Sequence, residues 1–373
     1  MSNDLFSDAE VWEKIVEKLE EMNKNIGDKS PHVALSEGGV YDDERIDWWT
    51  SGFWPGLLWL GYDMTGNEIF KRSAWDWDIK MEQRMLENNS FDHDVGFQFL
   101  STAVFKYKLT GDMDARRRGL AAANFLAGRF NIQGHFIRAW NSHMHGWSIV
   151  DSAMNLSLLC WASEELEDPR FMHTARLHAD TLVEHFIRAD GSVNHIVSFD
   201  PATGEVIEAI GGQGEAADSA WSRGAAWALY GMANMYRYTK DEKYGQAAQR
   251  VAHFFMAHLP SDKVPHWDFR TRGNPELEPR DTSAGAIAAS GLLELATLLP
   301  EHVGRRYEEV AIQMLDSLYH HYSTWDGPQH EAILLQGTGH KPAGQNINVS
   351  LIYGDYFFVE AFAKRNGWKN RIY

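Results

Sequence analysis

The chain has 373 residues but a single cysteine, Cys160, so no disulfide can form within it. That thiol falls in the apolar run Leu158-Leu159-Cys160-Trp161-Ala162, where a buried, inert side chain is expected. No apolar run is long enough to span a bilayer. The first residues, Met1-Ser2-Asn3-Asp4-Leu5-Phe6-Ser7-Asp8, are polar and acidic where a secretory leader would be basic and then apolar, so a cytoplasmic location away from membranes is the expectation. Positive charge is scarce: 35 Lys and Arg stand against 52 Asp and Glu, a formal net charge of −17. A field of that sign cannot neutralise phosphates, which excludes nucleic acid and long polyanions as partners. A small anion remains possible, because a few local donors in a closed pocket outweigh charges screened beyond about 10 Å. Sustained alternation of apolar and polar residues is also missing, which argues against half-buried strands.

Aromatic residues, by contrast, are plentiful: 15 Trp, 13 Tyr and 19 Phe. Several tryptophans stand in Gly-rich polar segments, where a flat apolar face suits a sugar ring better than a core. Helical periodicity runs throughout. Amphipathic helices are predicted near 8–24, 67–87, 112–129, 168–188, 241–258 and 302–321, the first capped by Ser7 or Asp8 and burying Val11, Ile15, Leu19 and Met22. Between them lie helices apolar or small on nearly every face, near 52–62, 94–108, 151–163, 222–238, 283–298 and 354–365, whose Ala and Gly content implies burial on all sides. A degenerate repeat marks the junctions: Tyr62-Asp63-Met64-Thr65-Gly66-Asn67, Tyr107-Lys108-Leu109-Thr110-Gly111-Asp112 and Tyr238-Thr239-Lys240-Asp241. Inner-to-outer connections are short, whereas most outer-to-inner ones exceed about twenty residues, far beyond ordinary bundle loops. Six helical hairpins decorated at one end read as an all-α (α/α)6 barrel, a single domain over 1–373 with its site at the N-terminal ends of the inner helices.

At that end the aspartates stand out. Asp94 and Asp151 both sit among aromatics where an irregular segment turns into an apolar helix, and two desolvated carboxylates are the minimum equipment for acid/base work on a sugar. The ordinary alternatives are open at this point. Asp151 and Asp281 read equally well as helix N-caps, and Asp94, two residues before Gly96, as a turn residue. His143-Met144-His145 resembles half a metal site but has no partner Cys pair, no His-Glu-x-x-His and no clustered carboxylates, so neither a metal nor any other cofactor is expected. Gly211-Gly212-Gln213-Gly214 lacks the following Lys and the preceding strand of a phosphate loop.

Six segments occur in a telling order: Trp49-Thr50-Ser51-Gly52-Phe53-Trp54, His93-Asp94-Val95-Gly96-Phe97, Asp151 with Asn155-Leu156, Asp218-Ser219-Ala220-Trp221-Ser222-Arg223-Gly224, Trp267-Asp268-Phe269 and Arg280-Asp281-Thr282-Ser283-Ala284. As a set, spread over roughly 30–365, this resembles the unsaturated glucuronyl hydrolases of glycoside hydrolase family 88. The resemblance implies an (α/α)6 barrel and removal of a 4,5-unsaturated uronic acid from oligosaccharides left by polysaccharide lyases, by hydration of the C4=C5 bond. It also implies that Asp151 is the general acid/base and Asp94 its essential partner. His195, Gln213 and Arg223 would bind uronate oxygens, and Trp49, His93, Trp140 and Trp227 would complete the pocket. The implied partner is an unsaturated uronate-containing oligosaccharide, acted on by a monomer or small homo-oligomer. Gly337-Thr338-Gly339-His340-Lys341-Pro342 and Asn346-Ile347-Asn348 stand where relatives that prefer sulfated sugars carry a Ser- and Lys-containing stretch. An unsaturated rhamnogalacturonyl hydrolase, a sugar epimerase or isomerase on the same barrel, and a sugar-binding protein are the competing readings.

Overall fold

A computed structural model describes residues 8–35, 37–87, 90–274, 277–327 and 329–373. Its helices are α1 (Asp8–Ile26), α2 (Phe53–Thr65), α3 (Glu68–Ala74), α4 (Trp77–Glu87), α5 (Val95–Phe99), α6 (Phe105–Thr110), α7 (Met113–Ala127), α8 (Ser152–Leu166), α9 (Pro169–Thr181), α10 (Ser222–Thr239), α11 (Glu242–Ala257), α12 (Thr282–Leu298), α13 (Glu301–His321) and α14 (Ile352–Arg365). Six inner elements form a closed ring, in which α2, the α5–α6 element, α8, α10, α12 and α14 each touch the next and α14 returns to α2. Around it stand α1, α3 with α4, α7, α9, α11 and α13. In α1, Val11, Ile15, Leu19 and Met22 are buried as the spacing predicts, while Ser7, one of the two expected caps, lies outside the described residues. The barrel is thus the one expected from sequence, and the outer helix predicted over 168–188 consists of α9 and a π-helical turn, Leu182–Phe186. The outer helix predicted over 67–87 divides into α3 and α4, and the inner helix over 94–108 carries a π-helical stretch, Leu100–Val104, between α5 and α6.

Inner helices hand over to outer ones through pairs of residues: Gly66-Asn67, Gly111-Asp112, Glu167-Asp168, Lys240-Asp241 and Leu299-Pro300. In the first four the leading residue adopts the left-handed conformation that ends a helix, and the Asn or Asp after it caps the next, as when Asp112 accepts from Ala115 N at 2.8 Å. The sequence repeat is therefore a stop–start signal. Glu167-Asp168 performs the same task without the repeat's Thr and Gly.

The opposite end carries the long connections 27–52, 128–151, 187–221, 258–281 and 322–351, against only 88–94 for the remaining one. Short strands appear there: β1 (Val33–Ala34), β2 (Phe130–Asn131), β3 (Phe136–Ile137), β4 (Trp147–Ile149), β5 (Ile196–Phe199), β6 (Val206–Ile210), β7 (Gly337–His340) and β8 (Gln345–Leu351). They form three small antiparallel sheets ordered β1-β8-β7, β2-β3 and β4-β5-β6. Most are too short for alternation to register in sequence. They nevertheless position the site, because β4 runs into α8 and β8 into α14. The far end of the barrel is closed by Tyr373, buried against Phe357 (5.5 Å between ring centroids), and by Glu294, which takes ion pairs from Arg237 (3.1 Å), Arg371 (2.8 Å) and Lys364 (3.4 Å).

Candidate active site

Three aspartates immediately precede inner helices, and the structure separates them. Asp281 is a true N-cap, accepting from Ser283 N (3.1 Å), Ala284 N (3.4 Å) and Ser283 Oγ (2.5 Å). Asp94 and Asp151 make no capping bond at all. Asp151 keeps some residue surface, yet its Oδ1 is sealed from solvent and has no hydrogen-bond partner. A buried, unsatisfied carboxylate oxygen is costly, and such exceptions call for a functional explanation.

Asp94 ends the segment Asp92-His93-Asp94, in which the buried His93 ring lies between two carboxylates, Nδ1 3.3 Å from Asp92 and Nε2 3.5 Å from Asp94. Burial works against a charge on His93, but Asp94 and Asp92 outweigh it and hold the imidazole up at about 9. Burial also drives Asp94 up to about 7; Asp92 and Asp151 add to the rise, while the His93 charge and the Asn155 amide oppose it. Burial raises Asp151 to about 6 against the charges of His93 and Arg223. Desolvation therefore outweighs the helix N-terminus at both positions, so a proton is available on the pair near neutral pH. Asn155, one turn into α8, joins the two: its Oδ1 accepts from Phe97 N (2.7 Å), and its Nδ2 lies 3.4 Å from both Asp94 Oδ1 and the Asp151 carbonyl. Gly96 makes room for it, since a Cβ there would fall 2.3 Å from Asn155 Oδ1. Asp94 itself stands in the turn that leads into α5, whereas Gly96 lies inside the helix, where it permits a close helix–helix approach.

Both carboxylates open on a cavity of about 220 Å³ lined by His32, Trp48, Trp49, His93, Trp140, Ile149, Gln213, Arg223, Gly339, His340, Gln345, Asn346 and Tyr353. Trp49 leans on Tyr353 (4.8 Å between centroids), and Trp140 meets His93 edge-on (5.9 Å). Three of the expected binding residues lie off the open lining or are engaged by protein groups. Trp227 is fully buried between Phe97 (4.9 Å) and Phe357 (5.3 Å), in the barrel core and off the cavity lining. His195 is likewise off the lining: its Nδ1 accepts from Gln213 N (2.9 Å), its ring packs on Trp221 (4.3 Å), and burial lowers it to about 3, so it braces the Gln213 loop as a neutral ring. Arg223 lines the cavity, but its terminal nitrogens are spent on Asp281 (2.6 Å), Thr338 O (2.5 Å), Gln213 Oε1 (2.5 Å) and Gly339 O (2.7 Å). It clamps α10 to the cap of α12 and to β7.

Residues 18–361 match the profile of Glycosyl Hydrolase Family 88. The chain belongs to glycosyl hydrolase family 88. Unsaturated glucuronyl hydrolase of Bacillus sp. (strain GL1) is 34% identical over 348 residues, 91% of this chain and 92% of that protein. Unsaturated chondroitin disaccharide hydrolase of Streptococcus pyogenes serotype M1 is 34% identical over 322 residues, 85% and 80% of the two chains. A solved unsaturated glucuronyl hydrolase described as specific for heparin superposes with a TM-score of 0.90 at 31% identity, covering 97% of this chain and 99% of the other. This family 88 chain is thus a glycosidase with the family's barrel.

Other features of the family 88 chain agree with chemistry carried by carboxylates. Cys160 is buried, and burial pushes its thiol up to about 12. His143 and His145 lie exposed on the 138–146 loop. Among the described residues the one close group of His and carboxylate donors is Asp92, His93 and Asp94, within 4.8 Å of one another. Among the described residues no helix is long and apolar enough to cross a membrane. Sequence reasoning did not select His32, Ile149, Gln345 or Tyr353. Tyr353 was accessible in principle, because α14 begins at Ile352, two residues before its predicted start. His32 carries no motif; it reaches the cavity through β1, which pairs with β8.

Proposed function

We propose that this family 88 hydrolase removes a 4,5-unsaturated uronic acid from the non-reducing end of short oligosaccharides by hydrating the C4=C5 bond, with Asp151 as general acid/base and Asp94 as its partner. The observation that carries this reading is the pair of uncapped, buried carboxyl groups, both raised toward neutral pH, at one aromatic-walled cavity. Asp151 is assigned the moving proton because its Oδ1 has no partner, whereas Asp94 is held beside His93 and Asn155. In the first step Asp151 gives its proton to C4, and the π electrons form the new C–H bond, leaving positive charge shared between C5 and the ring oxygen. Water then adds to C5 and returns a proton to Asp151. The resulting hemiketal opens to a ketone, and the hemiacetal freed at C1 releases the second sugar, so one water is consumed and two sugars leave.

The names of the relatives, one for chondroitin disaccharide and one for heparin, belong to those proteins and differ in parent polymer. The cavity itself favours an unsulfated second sugar. Among its described lining residues the cations are Arg223, whose terminal nitrogens are engaged, and His93, which is paired with Asp92 and Asp94. Gln345, Asn346 and His340 add neutral donors and acceptors, the last lowered by burial and by Arg223.

Incubation with a panel of unsaturated disaccharides tests the reading directly. Ultraviolet absorbance of the conjugated uronate should disappear as the second sugar is released, faster for unsulfated members. In heavy water the product should carry deuterium at C4. Release with the chromophore intact, or product without deuterium at C4, would replace hydration by attack at the anomeric carbon.

A further inference from the structure

We propose that His178, on outer helix α9 and outside the cavity, is a positioning residue that sets the place of the Asp151 carboxyl through Ser152. The inference rests on the reading of Asp151 as proton donor. It begins from a gap: Asp151 Oδ1 has no hydrogen-bond partner to hold it, so its place depends on the backbone of residues 149–152 that carries it. That backbone is tied at one node. His178 is fully buried, and its Nδ1 accepts the Ile137 N–H at 3.1 Å. The ring proton is therefore on Nε2, 2.6 Å from Ser152 Oγ, and donates to it. Ser152, itself fully buried, passes the chain on by donating its hydroxyl to the Ile149 carbonyl at 2.5 Å. Ser148 Oγ donates in turn to the Ile137 carbonyl at 3.0 Å, closing the node onto β3 and β4.

Each proton in the chain has one direction. A charged imidazole would present a second N–H to the Ile137 N–H, and burial, with the His93 charge, lowers His178 to about 3, so the neutral tautomer persists wherever the fold does. The node flanks Asp151 on both sides in sequence, at Ile149 and Ser152. Displacements of an ångström in a reacting group can cost about a hundred-fold in rate, so loosening this backbone is expected to register in catalysis.

The amides of Gln and Asn separate the two ends of the imidazole. In His178→Gln the amide reaches the Nε2 position and can still donate to Ser152, whereas in His178→Asn it reaches only the Nδ1 position and keeps Ile137. The proposal expects His178→Asn and Ser152→Ala each to lower kcat about ten-fold or more with KM within about two-fold. It expects His178→Gln to recover most of the rate, and the double variant Ser152→Ala/His178→Asn to be no worse than either single change. Circular dichroism and melting curves accompany the kinetics; Ser152→Ala, which removes one hydroxyl, provides the test if the His178 variants do not fold. Equal rates for Gln and Asn, or a Ser152→Ala enzyme that loses melting temperature but not kcat, would overturn it. Asp151→Asn measured alongside separates the two readings: if it turns over normally the proton-donor assignment fails, whereas an inactive Asp151→Asn beside a fully active Ser152→Ala removes His178 alone.

Discussion

At the scale of single residues, the aspartates at the helix starts show how an ordinary motif hides a functional one. Asp281 does what Asp before a helix commonly does, and Asp94 and Asp151 occupy the same position without doing it. Both are raised by burial, so the folded state binds their protons more tightly than the unfolded chain does. Their contribution to stability is present below the ordinary carboxylate range near 3.8 and is lost as pH rises through about 6 for Asp151 and about 7 for Asp94. Asp151→Asn removes that liability. The variant is expected to melt about 2 °C or more above the parent at pH 8, with the gain shrinking toward pH 4, while turnover falls by about 10²–10⁴-fold. Melting curves across that pH range check it; a variant less stable at pH 8 would mean that the carboxylate is satisfied in solution. In the parent, turnover is expected to fall on the alkaline side as the pair loses its proton, and a rate still rising above pH 9 would contradict the proton-donor role.

At the scale of elements, the Ala- and Gly-rich helices announced their burial, because small side chains on every face have no use at a surface. Gly231 of α10, for example, faces Ala153 of α8 so closely that a Cβ would come within 2.5 Å of the alanine Cβ. The same closeness at Gly96 seats Asn155 beside Asp94 and Asp151. Gly96→Ala should push α5 from Asn155, costing about 1–3 kcal/mol of stability and a disproportionate loss of kcat. Loss of stability alone, with kcat intact, would show that Asn155 does not align the two carboxyls. Helix order and the decorated end were legible because they rest on periodicity and loop length. The strands were not: β2 and β3 are two residues each, and β8 includes Asn346 and Asn348 at positive φ, so its pattern does not alternate. The packing of Trp227 was not legible for a similar reason. A tryptophan in an Ala-rich helix near the site can face the cavity or the ring's centre, and only the packing of Phe97 and Phe357 decides. The location of Arg223 at the cavity was legible, but its partners Thr338 and Gly339 were not, since they come from a connection more than a hundred residues away.

At the scale of the whole molecule, a net charge of −17 surrounds a cavity proposed to admit a carboxylate-bearing sugar. Long-range repulsion of this kind acts on encounter more than on chemistry. Raising ionic strength from about 10 to 150 mM shortens the reach of that field from about 30 to 8 Å, and kcat/KM is expected to rise while kcat stays level. A fall in kcat/KM over the same range would show that local cations, not the global field, govern capture. The two ends of the barrel also divide labour. The paired-residue turns and the Glu294 ion cluster sit opposite the site, so substitutions there are expected to change stability, and substitutions in the long connections substrate preference.

The tryptophans give this division an optical form. Trp48, Trp49 and Trp140 line the cavity, while Trp54, Trp59, Trp77 and Trp227 are sealed in the core. A sugar entering the cavity changes the surroundings of the first group and leaves the second dark to it. Intrinsic emission can therefore report occupancy without a label, and in an enzyme disabled at Asp151 it would give the dissociation constant of an intact substrate. Replacing Trp140 with Phe would then identify how much of that signal arises beside His93, turning the wall of the pocket into its own indicator.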